Sequence, residues 1–321
     1  MNLRIDSLFS TRRLGLVLTL ALGLVAGPAF AQTRTELRIG YQKYGTLTIL
    51  KARGDLEKRL APQGVDVKWT EFPAGPQLLE GLNVGSIDFG TVGEAPPIFA
   101  QAAGADLVYV ANQPPAPAGE AIVVAKDSPI RSVAELKGRK VALNKGSNVH
   151  YLLVKALEKA GLRYSEITPV FLRPSDARAA FEHGDVDAWA IWDPFQASAE
   201  VAIQARTLAS GEGVAANRQF YLGERKFVTA NPDVVKIVLA SIREIDVWAA
   251  GNTDAAANEL SPAVGIPVAV LKLALGRQAW DVRPITPEVA ADQQKIANTF
   301  FGLGLIPKPI KIDDALKNSG T

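Results

Sequence analysis

The hydrophobic and polar positions of this 321-residue chain follow two periods, one near two residues and one near the helical repeat. Short apolar or alternating stretches predict strands, and longer stretches with one apolar face predict helices between them. The predicted strands cover residues 36–41, 65–71, 86–90, 106–111, 121–125, 140–143, 185–190 and 220–222. Predicted helices begin near residue 46, cover residues 77–84, 148–160 and 175–183, and recur as alanine-rich helices after residue 222. This alternation is typical of the α/β class.

One helix–strand unit occurs twice in the chain. Residues 82–89 (LNVGSIDF) align with residues 181–188 (FEHGDVDA), and each has a helix end, a glycine stop and a strand with aspartate in third place. Two segments of the same order predict two lobes with mostly parallel sheets. The proline-rich run 113–117 predicts a first crossing between the lobes, and residues 210–221 predict a second. We expect residues 32–116 and 217–321 in lobe 1, residues 117–216 in lobe 2, and a two-segment hinge.

The first 31 residues fit a cleavable signal peptide. Arg4, Arg12 and Arg13 precede an apolar run over residues 14–25, and Ala29-Phe30-Ala31 follows as a cleavage site. The run is shorter than the roughly 20 residues that span a bilayer. The chain contains no cysteine, so it lacks the lipid-bearing residue of a tethered lipoprotein. We therefore expect a freely diffusing, monomeric protein of the periplasm.

The charge and the metal-ligating residues exclude several classes of function. The leader carries three Arg and one Asp, so the +2 of the whole chain leaves residues 32–321 neutral. A neutral protein lacks the basic surface that binds nucleic acid. Two histidines and no cysteine leave little for a transition-metal site. We expect neither a metal nor a cofactor, and no nucleic-acid partner.

Four loops follow predicted strands and lead into helix N-termini, which is where α/β proteins bind ligands. They are residues 42–46, 91–94, 146–148 and 192–194. Their glycines, which include Gly45 and Gly93, allow close approach of the backbone. The side chains of Thr46, Thr91, Ser147 and Asn148 add donors beside unpaired N–H groups. The loops predict an anion site, although each Ser, Thr or Asn alone could be a helix cap.

The charged and aromatic side chains of these loops narrow the choice of anion. The loops contain no arginine, and their only cations are Lys43 and Lys145, so a weakly basic monoanion such as a sulfonate fits better than phosphate. Aromatic faces near the strand ends could line an apolar slot for a ligand tail, with Trp192 the best placed. The other aromatic candidates are Tyr41, Tyr44 and Trp189, and the loop carboxylates are Glu94 and Asp193. Both lysines could equally be surface charges, and both carboxylates could be caps or ion pairs.

An enzyme is the alternative from another class. Ser147 and His150 lie three residues apart on a predicted helix and could face the same way. No third group or nucleophile elbow accompanies them, so we expect a binding protein without catalytic residues.

Several phrases of the chain resemble those of the periplasmic aliphatic sulfonate-binding proteins. They are GYQKYGTL, EFPAGPQLLEGLNVGSIDFG, GEAPPIFAQAAGADLVYV, NKGSNVHYLL, DARAAFEHGDVDAWAIWDP and VRPITPEVAADQQKIANTF, and they span nearly all of residues 36–315 in order. The resemblance implies a type II periplasmic-binding-protein fold and delivery of sulfonates to a membrane ABC importer for use of their sulfur.

The resemblance also implies which residues face the ligand. By matching motif, the sulfonate-facing positions are Gln42, Lys43, Tyr44, Gly45, Thr91, Gly93, Ser147, Trp192 and Asp193. Related receptors bind taurine, nitrate or pyrimidine precursors of thiamine, so these ligands stay open as alternatives. A thiamine precursor would need its ring stacked between aromatic side chains and its nitrogens met by Glu94 or Asp193.

Overall fold

The structure, a computed structural model, describes residues 35–316, and the predicted signal peptide lies outside the described residues. Ten strands occur in this range: β1 (Thr35–Tyr41), β2 (Val65–Glu71), β3 (Phe89–Gly93), β4 (Leu107–Asn112), β5 (Glu120–Val124), β6 (Lys140–Leu143), β7 (Thr168–Phe171), β8 (Ala188–Trp192), β9 (Arg206–Ser210) and β10 (Gln219–Glu224). The α-helices of the same range are α1 (Thr46–Arg53), α2 (Asp55–Leu60), α3 (Gly75–Asn83), α4 (Pro96–Ala102), α5 (Asn148–Lys159), α6 (Pro174–His183), α7 (Phe195–Ile203), α8 (Arg225–Ala230), α9 (Pro232–Gly251), α10 (Thr253–Val264), α11 (Val268–Gly276) and α12 (Pro287–Gly302).

The strands form two five-stranded sheets with the same topology. The first sheet has the order β2-β1-β3-β10-β4, and the second has the order β7-β6-β8-β5-β9. In each sheet the first three strands pair in parallel, and one antiparallel strand, β10 or β5, is inserted beside the last. The inserted strands are the first that the chain adds after each change of sheet. The prediction of an α/β fold with two mostly parallel sheets is confirmed.

Each sheet has a hydrophobic core on both faces because successive side chains of a strand point to opposite sides. In β10, Tyr221 packs into one core of the first sheet, while Phe220 and Leu222 pack into the other. In β5 of the second sheet, Ile122 packs into one core and Val123 packs into the other. Helices cover all four faces, so the strand ends are the parts of the sheets left for a site.

The repeated aspartate marks the entrance of a strand rather than its interior. Asp88 precedes β3 and Asp187 precedes β8, so both strands begin three residues later than the sequence predicted. A carboxylate oxygen of Asp88 accepts the backbone N–H of Arg38 at 2.8 Å, and one of Asp187 accepts that of Lys140 at 2.8 Å. Each carboxylate therefore ties the start of the strand that follows it to a neighbouring strand. The shift places Trp192 at the last position of β8, not beyond the strand.

The C-terminal helices do more than cover the first sheet. Helices α9 and α10 contribute Val238 and Leu260 to one core of that sheet, and α12 contributes Phe300 to the other. Helix α11 contributes Leu271 and Leu275 to the first of these cores and also reaches α7, where Val270 and Ala274 pack against Ala197. This contact connects the C-terminal region to the second sheet. Over residues 35–316, no helix has the length and apolar character needed to cross a membrane.

Candidate functional site

A small cavity lies where the strand ends of the two sheets face each other. Its volume is about 40 Å³, enough for a few water molecules or one compact chemical group. Two helices begin at its wall, α1 after Gly45 and α5 after Ser147. Neither of these residues makes a side-chain cap, so the first N–H groups of both helices lack that partner. Two positive helix ends therefore converge on the cavity.

Eight of the eleven ligand-facing residues predicted from the sequence line this cavity. They are Gln42, Tyr44, Gly45, Thr91, Gly93, Ser147, Asn148 and Trp192. The hydroxyl groups of Thr91 and Tyr44 make no hydrogen bond within residues 35–316, so both are available to a ligand. Ser147 is engaged, because its hydroxyl donates to the backbone oxygen of Asn144 at 2.7 Å.

Further cavity residues come from parts of the chain where sequence reasoning named no site. Gln113, Asn217, Gln219 and Tyr221 belong to the two predicted crossings between lobes, and Gln278 follows α11. The proline-rich run at residues 113–117 could have pointed to the residues of the crossings as site candidates, because a segment that joins two lobes passes between them. No pattern in the sequence pointed to Gln278.

Asn148 connects the two sheets at the edge of the cavity. Its side-chain amide donates to Asn217 at 2.6 Å and accepts the backbone N–H of Ala95 at 3.4 Å. Gly93 lies against this amide so closely that a methyl group there would overlap it. Asn217 in turn donates to the backbone oxygen of Ala116 at 2.9 Å. The strand end of β3 is thus in contact with the N-terminus of α5, and the cavity is closed on this side.

Thr46 begins α1 but is not a free donor, contrary to the expectation. Its hydroxyl donates to Asp246 at 2.5 Å and accepts from the amide of Gln113 at 3.0 Å. Burial raises the pKa of Asp246, and the hydrogen bonds from Thr46 and Gln113 oppose that rise. The carboxylate of Asp246 in α9 therefore already accepts hydrogen bonds from Thr46 and Gln113, so neither side chain is a free donor at the cavity wall.

The cavity wall contains no lysine or arginine side chain among the described residues. Lys43 lies 3.9 Å from Glu71 at the surface, and Lys145 lies over the ring of Phe171 at 5.5 Å. Both lysines that the sequence offered as cations for the site therefore lie outside the cavity. This agrees with the alternative that they are surface charges. An anion there would meet helix N-termini and neutral donors only, which suits a weakly basic monoanion.

Glu94 is close in sequence to Thr91 and Gly93 but does not line the cavity. Its side chain is buried, and one carboxylate oxygen accepts the backbone N–H of Arg218 at 3.0 Å. Gln293 of α12 donates to the backbone oxygen of Glu94. Burial raises the pKa of Glu94 to about 7, although the bond from Arg218 works against it. The residue ties β3 to the second crossing instead of reaching a ligand.

Asp193 is also absent from the cavity wall. Its fully buried carboxylate accepts the backbone N–H of Ala197 at 2.9 Å and lies 3.4 Å from the guanidinium of Arg277. Burial raises its pKa to about 6 in spite of Arg277. Arg277 also pairs with Glu200 at 2.5 Å. Asp193 therefore caps α7 and holds the segment after α11, as its alternative interpretation predicted.

Ser147 and His150 do not form a catalytic pair. The imidazole Nδ1 of His150 accepts the backbone N–H of Gly146 at 3.2 Å, and Nε2 lies 3.0 Å from the hydroxyl of Tyr164. Burial lowers the pKa of His150 to about 4, so the ring is neutral and packed among aromatic side chains. Ser147 has its own backbone partner, and no base is hydrogen-bonded to it.

A larger cleft adjoins the cavity and shares part of its wall. Its volume is about 290 Å³, and it has Gln42, Tyr44 and Trp192 in common with the cavity. The rings of Trp192 and Phe195 meet edge to face at 6.1 Å in this cleft. Lys43 lies at its rim. The polar cavity thus opens beside an apolar surface that a carbon chain could cover.

Comparison with known proteins places the chain in a family. The NMT1/THI5-like family matches residues 60–256. The putative aliphatic sulfonates-binding protein of Escherichia coli (strain K12) is 45% identical over 304 residues, which cover 92% of this chain and 94% of that protein. The protein of the same description from Bacillus subtilis (strain 168) is 34% identical over 286 residues, with 88% and 86% covered.

Solved structures agree with the sequence relatives. The alkanesulfonate-binding protein SsuA from Xanthomonas axonopodis pv. citri bound to MOPS is similar with a TM-score of 0.85 at 42% identity, covering 89% of this chain and 99% of that one. The periplasmic aliphatic sulphonate binding protein SsuA from Escherichia coli is similar with a TM-score of 0.80 at 45% identity, covering 88% and 92%. The chain belongs to the NMT1/THI5-like family, together with these putative aliphatic sulfonates-binding proteins.

Proposed function

We propose that this chain is the periplasmic substrate-binding component of an ABC importer, which captures aliphatic sulfonates and delivers them to the membrane permease for sulfur acquisition. Like its relatives, it is a binding protein and not an enzyme. The observation that carries the proposal is the pairing of a small neutral-donor cavity with an adjoining apolar cleft. One compartment suits a monoanionic head group, and the other suits a hydrocarbon tail.

The head group would bind in the cavity between the N-termini of α1 and α5. The donors available to it are backbone N–H groups at Gly45 and Asn148 and the hydroxyls of Thr91 and Tyr44. A sulfonate offers three oxygens and one diffuse charge, so it needs several donors but no buried cation. Phosphate or sulfate carries about twice the charge and would leave part of it uncompensated in this cavity.

The carbon chain would leave the cavity through the wall shared by Tyr44 and Trp192 and lie in the cleft beside Phe195. Burial of apolar surface stabilises the bound tail by about 25 cal/mol per Å². We propose Gln42, Lys43, Tyr44, Gly45, Thr91, Gly93, Ser147, Asn148 and Trp192 as the ligand-facing set. Glu94 and Asp193 would act by holding the surrounding segments in place.

The proposal includes two lobes that close over the ligand. The first sheet takes strands from residues 35–112 and 219–224, and the second takes strands from residues 120–210. These memberships support lobe boundaries at residues 32–116 with 217–321 and at residues 117–216. They also support a hinge at the two crossings. We further propose export through the signal peptide of residues 1–31 and a monomer in the periplasm.

Thermal denaturation with a panel of anions tests the function and its tail compartment. Linear alkanesulfonates should raise the melting temperature of the protein, because a ligand that binds only the native state stabilises it. Sulfate, phosphate, nitrate and thiamine precursors should not. Trp192→Ala should weaken long-chain sulfonates more than short ones, by about 1–3 kcal/mol, because the longer tails cover more of the indole.

Calorimetry with methane-, butane- and octanesulfonate measures this dependence on chain length. Trp248→Ala is the matched control, since Trp248 packs under Arg53 away from the cavity. The sulfonate assignment fails if inorganic sulfate stabilises the protein as well as the alkanesulfonates do. A uniform loss over chain length in Trp192→Ala would assign the indole to lobe structure.

A further inference from the structure

Gln278 brings an unused amide to the cavity from the C-terminal region. Its side chain lines the cavity, yet the amide makes no hydrogen bond with any residue of the described range 35–316. Its oxygen is also buried from solvent. A buried acceptor without a partner is costly to the folded protein unless a ligand or water pairs with it. Gln219 lines the same cavity but differs from Gln278. Its amide oxygen does not belong to the buried atoms that lack a hydrogen-bond partner within residues 35–316.

Both neighbours of Gln278 hold it in place. Arg277 pairs with Asp193 and Glu200 of the second lobe, and α11 packs on α7 just before it. Two residues later, Trp280 packs against a core of the first sheet. The backbone of Gln278 is therefore fixed from both sides of the cavity, while its amide is left without a protein partner. This combination is what a ligand-contacting residue requires.

The charges around the cavity decide which ligand group could use this amide. The carboxylates of Asp193 and Asp246 already accept hydrogen bonds, and the side chain of Glu120 is fully buried. Burial raises the pKa of Glu120 well above its ordinary value, which disfavours its charged form. No Asp or Glu side chain of residues 35–316 lines the cavity, so an ammonium group on the ligand would meet no carboxylate there. A hydroxyl group can donate to the amide oxygen or accept from the amide nitrogen, so it pairs with either orientation of the amide.

We propose that Gln278 is a specificity-determining residue that hydrogen-bonds a hydroxyl group on the carbon chain of the bound sulfonate. The substituent would lie close to the head group, because Gln278 lines the same cavity wall as Gly45 and Thr91. The inference rests on the proposed function and narrows it to hydroxyalkanesulfonates. The hydroxyl group of such a ligand would form a hydrogen bond with the Gln278 amide, which has no partner among residues 35–316.

The test uses three ligands that differ at one position, namely ethanesulfonate, 2-hydroxyethanesulfonate and 2-aminoethanesulfonate. Isothermal titration calorimetry of the wild-type protein should give tighter binding of the hydroxyl ligand than of ethanesulfonate, by about three- to tenfold. The amino ligand should gain nothing over ethanesulfonate. In Gln278→Met, which keeps the length of the side chain without its amide, the hydroxyl ligand should lose its advantage. Ethanesulfonate should keep its affinity within about twofold.

Gln77→Met is the matched control, because the amide oxygen of Gln77 is also buried without a partner within residues 35–316 but the residue does not line the cavity. This variant should keep the preference for the hydroxyl ligand. The inference is overturned by no preference in the wild type, by a preference that survives in Gln278→Met, or by one lost in Gln77→Met. Tightest binding of the amino ligand, or a large loss of ethanesulfonate affinity in Gln278→Met, would overturn it as well. A wild-type protein that binds neither ethanesulfonate nor longer sulfonates would instead remove the proposed function.

Discussion

At the scale of the residue, burial and hydrogen bonding decide what each polar side chain does. Glu94 follows the cavity residues of β3, but its carboxylate turns to the backbone of Arg218 in the second crossing. The other carboxylate oxygen is buried without a partner in the described part of the chain. A carboxyl group desolvated in this way holds its proton to higher pH. Glu94 is thus a structural residue with a titration near neutrality.

Replacing Glu94 by glutamine should remove one component of the pH dependence of stability. The folded pKa of about 7 lies above the ordinary 4.5, so the unfolded chain releases this proton first as the pH rises. The wild-type free energy of unfolding should therefore fall between about pH 4.5 and pH 7, by about 3 kcal/mol relative to Glu94→Gln. Urea unfolding at several pH values measures the difference.

Asp193 does not affect the comparison of the wild type with Glu94→Gln, because both proteins contain Asp193. Its pKa of about 6 is also raised by burial, so it contributes a loss of stability in the same direction to both curves. The difference between the curves reports Glu94 together with its repulsion of the charged form of Glu120, because the Glu94 carboxylate contributes to the raised pKa of Glu120. Parallel curves from pH 4 to pH 8 would mean that the Glu94 carboxyl titrates normally in the folded protein.

At the scale of the element, the same aspartate device fixes a central strand of each sheet, but in different surroundings. The carboxylate of Asp88 accepts both the backbone N–H and the guanidinium Nε of Arg38, at 2.8 and 2.9 Å. Asp187 accepts the backbone N–H of Lys140 in the same way, while its contact with Arg139 is longer, at 3.5 Å. The side chain of Asp88 is 6% exposed and that of Asp187 is 33% exposed. We therefore expect the strand entrance at Asp88 to depend more strongly on its carboxylate than the entrance at Asp187 does.

Alanine substitutions at the two aspartates should differ in their effect on stability. Asp88→Ala should reduce the free energy of unfolding by about 2–4 kcal/mol, because it leaves part of Arg38 buried without its partner. Asp187→Ala should cost about 1 kcal/mol, since water can replace the lost partner. Chemical denaturation of both variants provides the comparison, and each serves as the control for the other. Equal losses would show that the strand entrances do not depend on the bonds between Asp88 and the Arg38 guanidinium.

At the scale of the whole molecule, the proposed binding site takes residues from both sheets. Thr91 and Gly93 belong to the first sheet, while Ser147 and Trp192 belong to the second. We expect a ligand between them to bind a closed form more tightly, and that difference in affinity would shift the population toward closure. Gly93 of the first sheet lies against the Asn148 amide at the start of α5, so we assign this contact to the proposed closed arrangement. A side chain at position 93 should therefore oppose closure.

Gly93→Ala should weaken sulfonate binding while leaving each lobe folded. The added methyl group would overlap the Asn148 amide, which is buried and hydrogen-bonded and so cannot easily move away. Overpacking of this kind costs about 1–3 kcal/mol, or roughly a five- to hundredfold loss of affinity. Small-angle scattering should show the radius of gyration fall on ligand binding in the wild type but less in the variant.

Gly251→Ala is the control for that experiment, because a methyl group at the end of α9 would meet no atom within 4 Å. It should bind and close as the wild type does. Wild-type scattering that does not change at saturation would mean that the free protein is already closed or that one lobe holds the whole site. A Gly93→Ala protein with unchanged affinity would show that Asn148 can yield.

The sequence by itself determined the α/β class, the two repeated sheets and most of the cavity residues. Periodicity and glycine stops act over a few residues, so they are visible along the chain, and strand ends in repeated units must meet at one edge. Thr91, Ser147 and Trp192 could be named as candidates for this reason. The starts of β3 and β8 were misjudged, since the roles of Asp88 and Asp187 depend on a neighbouring strand.

Only the tertiary structure decided which polar groups are free. Thr46 is engaged by Asp246, 200 residues away, and Asp193 by Arg277, 84 residues away. Gln278 enters the cavity because α11 docks on α7 across the lobes. Partners so distant in the chain leave no local pattern, since their meeting depends on how whole helices pack. Local chemistry therefore determined the kind of site that we propose, and long-range packing decided which of its polar groups are already engaged in hydrogen bonds.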